Sequence, residues 1–431
     1  MAKTNQFIAE YGEKFQTVVD FETNKPPVVT MRRFIRYLKP VDDQRLTGMV
    51  EYPLEEIIVM VFLAVLGGAE NWDEIESFGR SYQKWLRKFL KLENGIPSHD
   101  TFRRVFGLIR SEQLEAATVA FVADIIGRLK KVLKLESTDK RHICVDGKES
   151  RATGRKRETS EEIRNLQTLH IYDNSHGICL YSSLIEKKTN EIPVAQRILS
   201  SMELKNSIVT FDAMNTQKRT IAIIREQKGD YVGALKGNHE NMAEEVRTYF
   251  AQDVCAQIRT KGTDYYKTLE SAHNQVETRE FFLTRKVSWF QDLAQWSGLK
   301  SFICYKKTMV NLVTGKETTE ERYYIASTTD VRLCADAIRG HWGIENRLHW
   351  QLDASFHEDG NTTVDKHAFN NLSLINKMTL SLLTLSKPLF KKNSIRSMRK
   401  QFGWTMAENL ARVLNFFSSD ELISAISSTK P

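Results

Sequence analysis

The stretch Ser207-Ile-Val-Thr-Phe-Asp-Ala-Met-Asn-Thr-Gln-Lys-Arg-Thr-Ile-Ala-Ile-Ile-Arg-Glu-Gln-Lys-Gly-Asp-Tyr-Val-Gly-Ala-Leu235 decides the fold class. Ser207 to Asp212 is a short apolar run that ends on an acid, as a buried strand does. Thr216 to Gln227 has helical spacing, Gly229 to Leu235 is apolar again, and Asn238 to Phe250 returns to helical spacing. Strand, helix, strand, helix in that order belongs to an α/β domain.

The same texture extends outward. Arg141 to Lys148 reads as a buried strand. Gln167 to Tyr172 and Gly177 to Leu184 read as a hairpin turning at Asn174-Ser-His-Gly177. Pro193 to Met202 reads as a helix. Downstream, Glu277 to Phe282, Lys300 to Val310 and Glu320 to Ile325 predict antiparallel strands, so residues 252–325 form a β-rich insertion in a mixed-sheet core. A helix from near Thr329-Asp330 follows, and Asn370 to Leu385 is another.

Residues 31–135 are helical throughout, with Leu54 to Ala69 the most apolar segment. Pro97-Ser-His-Asp-Thr101 is a helix start, capped by Ser98 or Asp100, and Arg103, Arg104 and Arg110 follow it. A plain bundle and a DNA-reading helix-turn-helix both fit that pattern. Residues 1–30 read as a loose polar arm, and a basic stretch runs from Lys387 to Lys400.

Composition narrows the function classes. The 431 residues exceed one simple core, which predicts two or three domains. A formal charge of +8 favours a polyanionic partner. The five cysteines, Cys144, Cys179, Cys255, Cys304 and Cys334, make no CxxC pair, which argues against a disulfide framework or zinc module and for reduced thiols in the cytosol. The N-terminus opens no apolar signal segment. The longest apolar run, Ile57 to Leu66, is too short to span a membrane and predicts a core helix.

Three acids stand in unusual settings. Asp146 ends the apolar run Ile143-Cys-Val145, and Asp212 ends Ile208-Val-Thr-Phe211. Glu345 lies within Arg339-Gly-His-Trp-Gly-Ile-Glu-Asn-Arg-Leu-His-Trp-Gln-Leu-Asp353, which has helical spacing. On such a helix His341, Glu345 and His349 share one face, and Trp342 and Trp350 are expected in the core. Each aspartate alone is equally at home in a turn. Jointly, two strand-end aspartates and a helical glutamate match the donor set of a two-metal phosphoryl-transfer site. The two histidines are eight residues apart and lack the HExxH spacing of a zinc protease.

Four blocks resemble the DDE transposases of bacterial insertion sequences, in the branch of the H-repeat-associated proteins. They are Val145-Asp-Gly-Lys148, Phe211-Asp-Ala-Met-Asn-Thr-Gln217, Gly229-Asp-Tyr-Val-Gly-Ala-Leu-Lys-Gly-Asn238, and His341 to Asp353 with Glu358-Asp359 after it. Tyr52-Pro-Leu54, Gly67-Gly68 and Pro97 to Thr101 resemble that branch's associated helical domain. Where many related families carry Tyr, Arg and Lys around the glutamate, this chain has Ile338, His341 and Leu352.

The resemblance implies an α/β fold: a ribonuclease H-like mixed-sheet catalytic core with a β-rich insertion, preceded by an all-α N-terminal domain. The chain then divides into an arm (1–30), a helical, candidate DNA-binding domain (31–138), a first core segment (139–251), the insertion (252–325), the remaining core (326–386) and a basic region (387–431). The implied chemistry cleaves DNA at element ends and joins the 3′-hydroxyl to target DNA. Asp146, Asp212 and Glu345 would be catalytic and hold Mg2+, with Mn2+ able to substitute. Lys148, Arg151, Arg155, Lys236, Arg339, His341, Arg347 and His349 would contact DNA. The partners would be double-stranded element ends and target, with a homo-oligomer on DNA, no membrane, and a cytoplasmic, nucleoid-associated location. A catalytically silent DNA-binding descendant and a stand-alone Mg-dependent nuclease are the alternatives.

Overall fold

The computed structural model describes residues 28–133, 140–154, 165–185, 190–251, 253–272, 274–387, 390, 393–405, 408–409 and 413. The chain forms two compact units. The first comprises Met1–Thr138, Lys148–Leu184 and Glu345–Pro431; the second comprises Asp139–Gly147 and Ile185–Ile344. Residues 1–27 of the arm and most of the basic C-terminal region lie outside the described residues, as does Arg155, while residues 28–30 are helical rather than loose.

The first unit opens with helices α1 (Val28–Leu38), α2 (Leu54–Leu66), α3 (Trp72–Leu86), α4 (His99–Leu108) and α5 (Ser111–Leu133). α2 is buried at every position but Glu55, so it is a core helix with no solvent face. Among the described residues no helix is long and apolar enough to cross a membrane. Ser98 is the cap of α4, its hydroxyl accepting from the Thr101 N–H at 3.4 Å. α4 buries Phe102, Val105 and Phe106 and leaves Arg103 and Arg104 exposed.

Strand β1 (Arg141–Ser150) passes from the second unit into the first at Gly147 and Lys148. The hairpin β2 (Leu166–Asp173) and β3 (Ile178–Leu184) belongs to the first unit. Its turn places Gly177 at φ +74, and the Asp173 carboxylate accepts from the Ser175 and His176 N–H groups.

The second unit continues with α6 (Glu191–Ser201), β4 (Ser207–Phe211), α7 (Lys218–Glu226), β5 (Asp230–Leu235), α8 (Glu240–Ala251) and α9 (Val254–Lys261). Then come β6 (Tyr265–Ala272), β7 (Gln275–Thr284), β8 (Ser301–Asn311), β9 (Glu317–Ala326) and α10 (Val331–Gly343). Its strands lie in the order β1-β4-β5-β9-β8-β7-β6. β1, β4 and β5 are parallel, β9 joins β5 antiparallel, and the rest form an antiparallel meander. The sheet is therefore mixed. The strands of the expected insertion extend it directly, with Val232 opposite Ala326. α10 packs Val331, Cys334, Ala335 and Ile338 onto one sheet face built from Ile208, Val232, Phe281, Leu283, Ile303, Tyr305 and Tyr324. The two-residue periodicity of Phe281 and Leu283, and of Ile303 and Tyr305, is what selects that face.

The chain returns to the first unit through a π-helical segment, Ile344–His349, followed by α11 (Trp350–Phe356), α12 (Lys366–Ser386) and α13 (Ile395–Trp404). α12 is buried almost throughout and packs against α2, α4, α5 and β3. Its Asn371 amide donates to the carbonyls of Phe106 and Ile109, which closes the end of α4 from a distant part of the chain.

Candidate functional site

Asp146 and Asp212 leave the second unit's sheet together. β1 and β4 run parallel with Val145 opposite Phe211, and each aspartate is the next residue along. Parallel strands present their carboxyl ends at one edge, so the register alone brings both acids to neighbouring positions. Both are partly exposed.

Local hydrogen bonds hold each acid. Asp146 Oδ1 accepts from the Gly147 N–H at 3.0 Å. Asp212 Oδ1 accepts from the Asn215 N–H at 3.1 Å and from Asn215 Nδ2 at 3.3 Å. Thr216 Oγ1 donates to the carbonyl of Ala234 at 2.8 Å and lies 3.0 Å from that of Asp212, tying the end of β4 to β5. Asn238 donates to the Ala213 carbonyl and fastens the same loop.

A further acid stands here that sequence reasoning passed over. Asn215 Nδ2 also donates to Glu191 Oε2 at 3.3 Å. An ideal Cβ on Gly147 would meet Glu191 Oε1, so the absence of a side chain at Gly147 lets that carboxylate lie beside Asp146 without shifting. Burial, reinforced by the charge of Asp212, raises the Glu191 carboxyl above its ordinary value. The sequence signal is slight, because Asn190-Glu191 ahead of Pro193 looks like an ordinary helix start.

Behind the sheet edge runs a buried polar chain. His341 Nδ1 lies 3.0 Å from Thr210 Oγ1, which lies 2.8 Å from His142 Nε2. Burial pushes the His341 imidazole down to about 4, against the opposing charge of Asp212. Burial thus favours the neutral form of the His341 imidazole.

In the first unit, Glu345 is exposed in the π-helical segment. That segment corrects the expectation of one regular helix. A π turn spaces hydrogen bonds differently from an α turn and rotates the residues after it, so His341 and His349 do not share a face with Glu345 between them. His341 engages Thr210 in the second unit, while His349 Nε2 lies 2.9 Å from His170 Nδ1 in the first. Burial holds His170 well below its usual range. Trp342 and Trp350 are also corrected: they are 43% and 59% exposed. Trp342 instead carries the Arg322 guanidinium 5.1 Å from its ring centroid.

Several residues expected on DNA are committed inside the fold. Lys148 is buried, with its ammonium on Asp353 and Asp359. Burial opposes its charge, but Glu358, Asp353 and Asp359 outweigh that and raise its pKa. Arg339 pairs with Glu270. Burial would raise the Glu270 carboxyl, yet Arg279 and Arg339 hold it at about 2. Arg347 Nη1 lies 3.4 Å from Asn174 Oδ1. Arg151 and Lys236 are exposed. The basic stretch loses Arg399 as a surface charge, because it is buried in the first unit.

The donor chemistry on the second unit's edge fits a hard cation: carboxylate oxygens and, at Asn215 Oδ1, a buried amide oxygen with no hydrogen-bond partner among the described residues. No group of three or more His, Cys, Asp or Glu side chains among the described residues is already arranged to hold a metal ion.

Residues 137–382 match the family described as Transposase DDE domain, and residues 35–122 match the one described as DDE_Tnp_1-associated. The chain is 32% identical over 377 residues to "Putative transposase YncI" of Escherichia coli O157:H7, covering 86% of this chain and 92% of that relative. It is 29% identical over 378 residues to "H repeat-associated putative transposase YhhI" of Escherichia coli strain K12, covering 86% of this chain and 95% of the relative. A shorter relative from the same strain, "Inactive transposase YbfQ", is 35% identical over 75 residues, 17% of this chain and 89% of its own length. The family model's match extends over more than half of the sequence and spans all three acids, and on that ground the chain belongs to the DDE transposases, with H-repeat-associated proteins among its relatives.

Proposed function

We propose that this protein cleaves DNA at the ends of an insertion sequence and joins the freed 3′-hydroxyl to target DNA, using a ribonuclease H-like core. The observation that carries the reading is the parallel register of Val145 and Phe211, which delivers Asp146 and Asp212 to one sheet edge in a chain of this family. Asp146 and Asp212 would hold divalent metal, Mg2+ or Mn2+, with Glu345 as the third carboxylate. The bound ions would supply charge neutralisation at the phosphorus being attacked.

The chain's own residues prepare that chemistry. The Asn215 N–H and side-chain amide fix the Asp212 carboxylate, the Thr216 tether holds the Asp212 main chain, and the Gly147 N–H fixes the carboxylate of Asp146. Such pre-set geometry avoids reorganisation when the phosphate arrives. In cleavage, a water oxygen forms a bond to phosphorus as the bond to the DNA 3′-oxygen breaks. In joining, the 3′-hydroxyl attacks a target phosphorus and displaces another 3′-oxygen. No covalent protein intermediate is required.

DNA is the proposed partner, bound by a multimer on paired ends in the cytoplasm and nucleoid. Arg151 and Lys236 are its proposed phosphate contacts within the described residues. Residues 31–138 are proposed as a DNA-binding domain, with 139–251 and 326–386 forming the core around 252–325. The test is a strand-transfer assay with matched element ends and Mg2+ or Mn2+. Asp146→Asn and Asp212→Asn are expected to lower cleavage at least about a hundredfold. Cleavage at the wild-type rate in both variants overturns the assignment. Cutting without joining makes the protein a nuclease.

A further inference from the structure

Glu191 is the first residue of α6, after the Asn190 cap, whose side chain accepts from the Ile192 N–H at 3.1 Å. An acid in a first turn suits the helix dipole. That accounts for the residue's place on α6. It does not account for its side chain turning away from the helix onto two other elements.

One carries Asp146 and the other follows directly on Asp212. Glu191 Oε1 fills the space over Gly147, the residue after Asp146. Glu191 Oε2 accepts from Asn215 Nδ2, which donates equally to Asp212 Oδ1, each at 3.3 Å. One amide nitrogen therefore bridges two carboxylates. Like charges brought this close repel, and a single neutral amide compensates them weakly.

A second observation points to a ligand at the same corner. Asn215 is fully buried at 0% exposure, its amide nitrogen lies between the two carboxylates, and its Oδ1 is without a hydrogen-bond partner among the described residues. Buried amide oxygens are rarely left so unless an ion or water answers them. An amide oxygen left open on the residue that bridges two carboxylates is a donor of the kind a hard cation selects.

We propose that Glu191 is a positioning residue for the metal-facing edge of the second unit, acting through Asn215 on Asp212 and lending its negative charge to cation binding beside Asp146. This rests on the reading of Asp146 and Asp212 as metal-holding residues. Glu191 sits outside the first coordination contacts and governs how the neighbouring carboxylate is aimed and how strongly the edge attracts a divalent ion. Residues in that relation to a metal typically change its affinity 10- to 100-fold when altered.

The experiment is Mn2+ binding to the full-length protein without DNA, followed by calorimetry or by the electron paramagnetic resonance of free Mn2+. Glu191→Gln keeps shape and removes charge; Glu191→Asp keeps charge on a shorter arm. Circular dichroism and metal-free melting check the fold of both. The expected result is Mn2+ affinity about 10- to 100-fold weaker in Glu191→Gln, with melting unchanged or raised, and substantial recovery in Glu191→Asp. Wild-type affinity in Glu191→Gln, with affinity lost in Asp212→Asn, overturns the role of Glu191 and leaves the aspartate reading standing. Equal losses of affinity and melting temperature in both Glu191 variants make the residue a packing element and also overturn it. Wild-type affinity in Asp146→Asn and Asp212→Asn overturns the underlying reading itself.

Discussion

The Glu191 carboxylate lies where a side chain on Gly147 would have to go, with Oε1 2.0 Å from the position of an ideal Cβ. The two residues are far apart in sequence and come from different elements, β1 and α6. Gly147→Ala must therefore displace Glu191. That carboxylate is the far end of a flexible side chain and can swing aside, so the expected cost is modest, about 0.5–1 kcal/mol. In a Glu191→Ala background the same substitution is expected to change stability by less than about 0.5 kcal/mol. Urea denaturation of the four proteins in this cycle measures the coupling, and additive effects would refute the contact.

Lys148 separates structure from DNA binding. Its ammonium neutralises Asp353 and Asp359 in a buried setting, so Lys148→Met strands both carboxylates. A loss of about 3 kcal/mol is expected. The slope of log affinity for DNA against log salt is expected to stay the same. Lys236→Ala is expected to do the reverse, leaving the melting temperature in place and lowering that slope by about one.

His341 makes stability depend on pH with a definite sign. Its folded-state pKa is pushed from 6.5 down to about 4, so the unfolded chain binds the proton more readily. The contribution is complete above about pH 6.5 and is lost as pH falls toward about 4. Its upper limit is about 3 kcal/mol. Unfolding of wild type and His341→Gln at pH 7, 5.5 and 4.5 is the check. The wild type is expected to lose stability more steeply with acid, and parallel curves would show that His341 does not supply the difference.

Arg399 is a structural arginine. Its guanidinium donates to the carbonyls of Val65 and Ala69 at 3.0 Å each and to that of Ser355, and lies 4.2 Å from the Phe356 ring centroid. Burial lowers its pKa to about 10. Arg399→Leu removes three buried, charge-assisted hydrogen bonds, so a loss of about 3 kcal/mol is expected. A lysine has no planar fork and reaches fewer of them. Thermal unfolding reads the effect; a change below about 1 kcal/mol would contradict these bonds.

Much of the α/β part of the chain was legible in the sequence. The runs ending at Asp146 and Asp212 are strands, the intervening hairpin turns at Gly177, and Lys218–Glu226 and Glu240–Ala251 are helices. These features rest on local alternation and turn chemistry, which act over a few residues. Strand β6, Tyr265–Ala272, escaped notice because it is mostly polar and half-exposed, with little alternation to read. The π-helical segment escaped because Ile344–His349 has the spacing of an ordinary helix, and one altered hydrogen-bond turn leaves no local mark.

By itself, the sequence determined the order of strands and helices, the two acids that end the apolar runs of β1 and β4, and membership of the DDE transposases. Periodicity and motif are properties of neighbours along the chain. Only the tertiary structure decided which charges are spent inside. Lys148 meets Asp353, Arg399 meets Val65, and Glu191 meets Gly147 and Asn215 across long stretches of chain. A charged side chain has no outward role until its partners are known, and those partners are fixed by packing, which no window of local sequence contains.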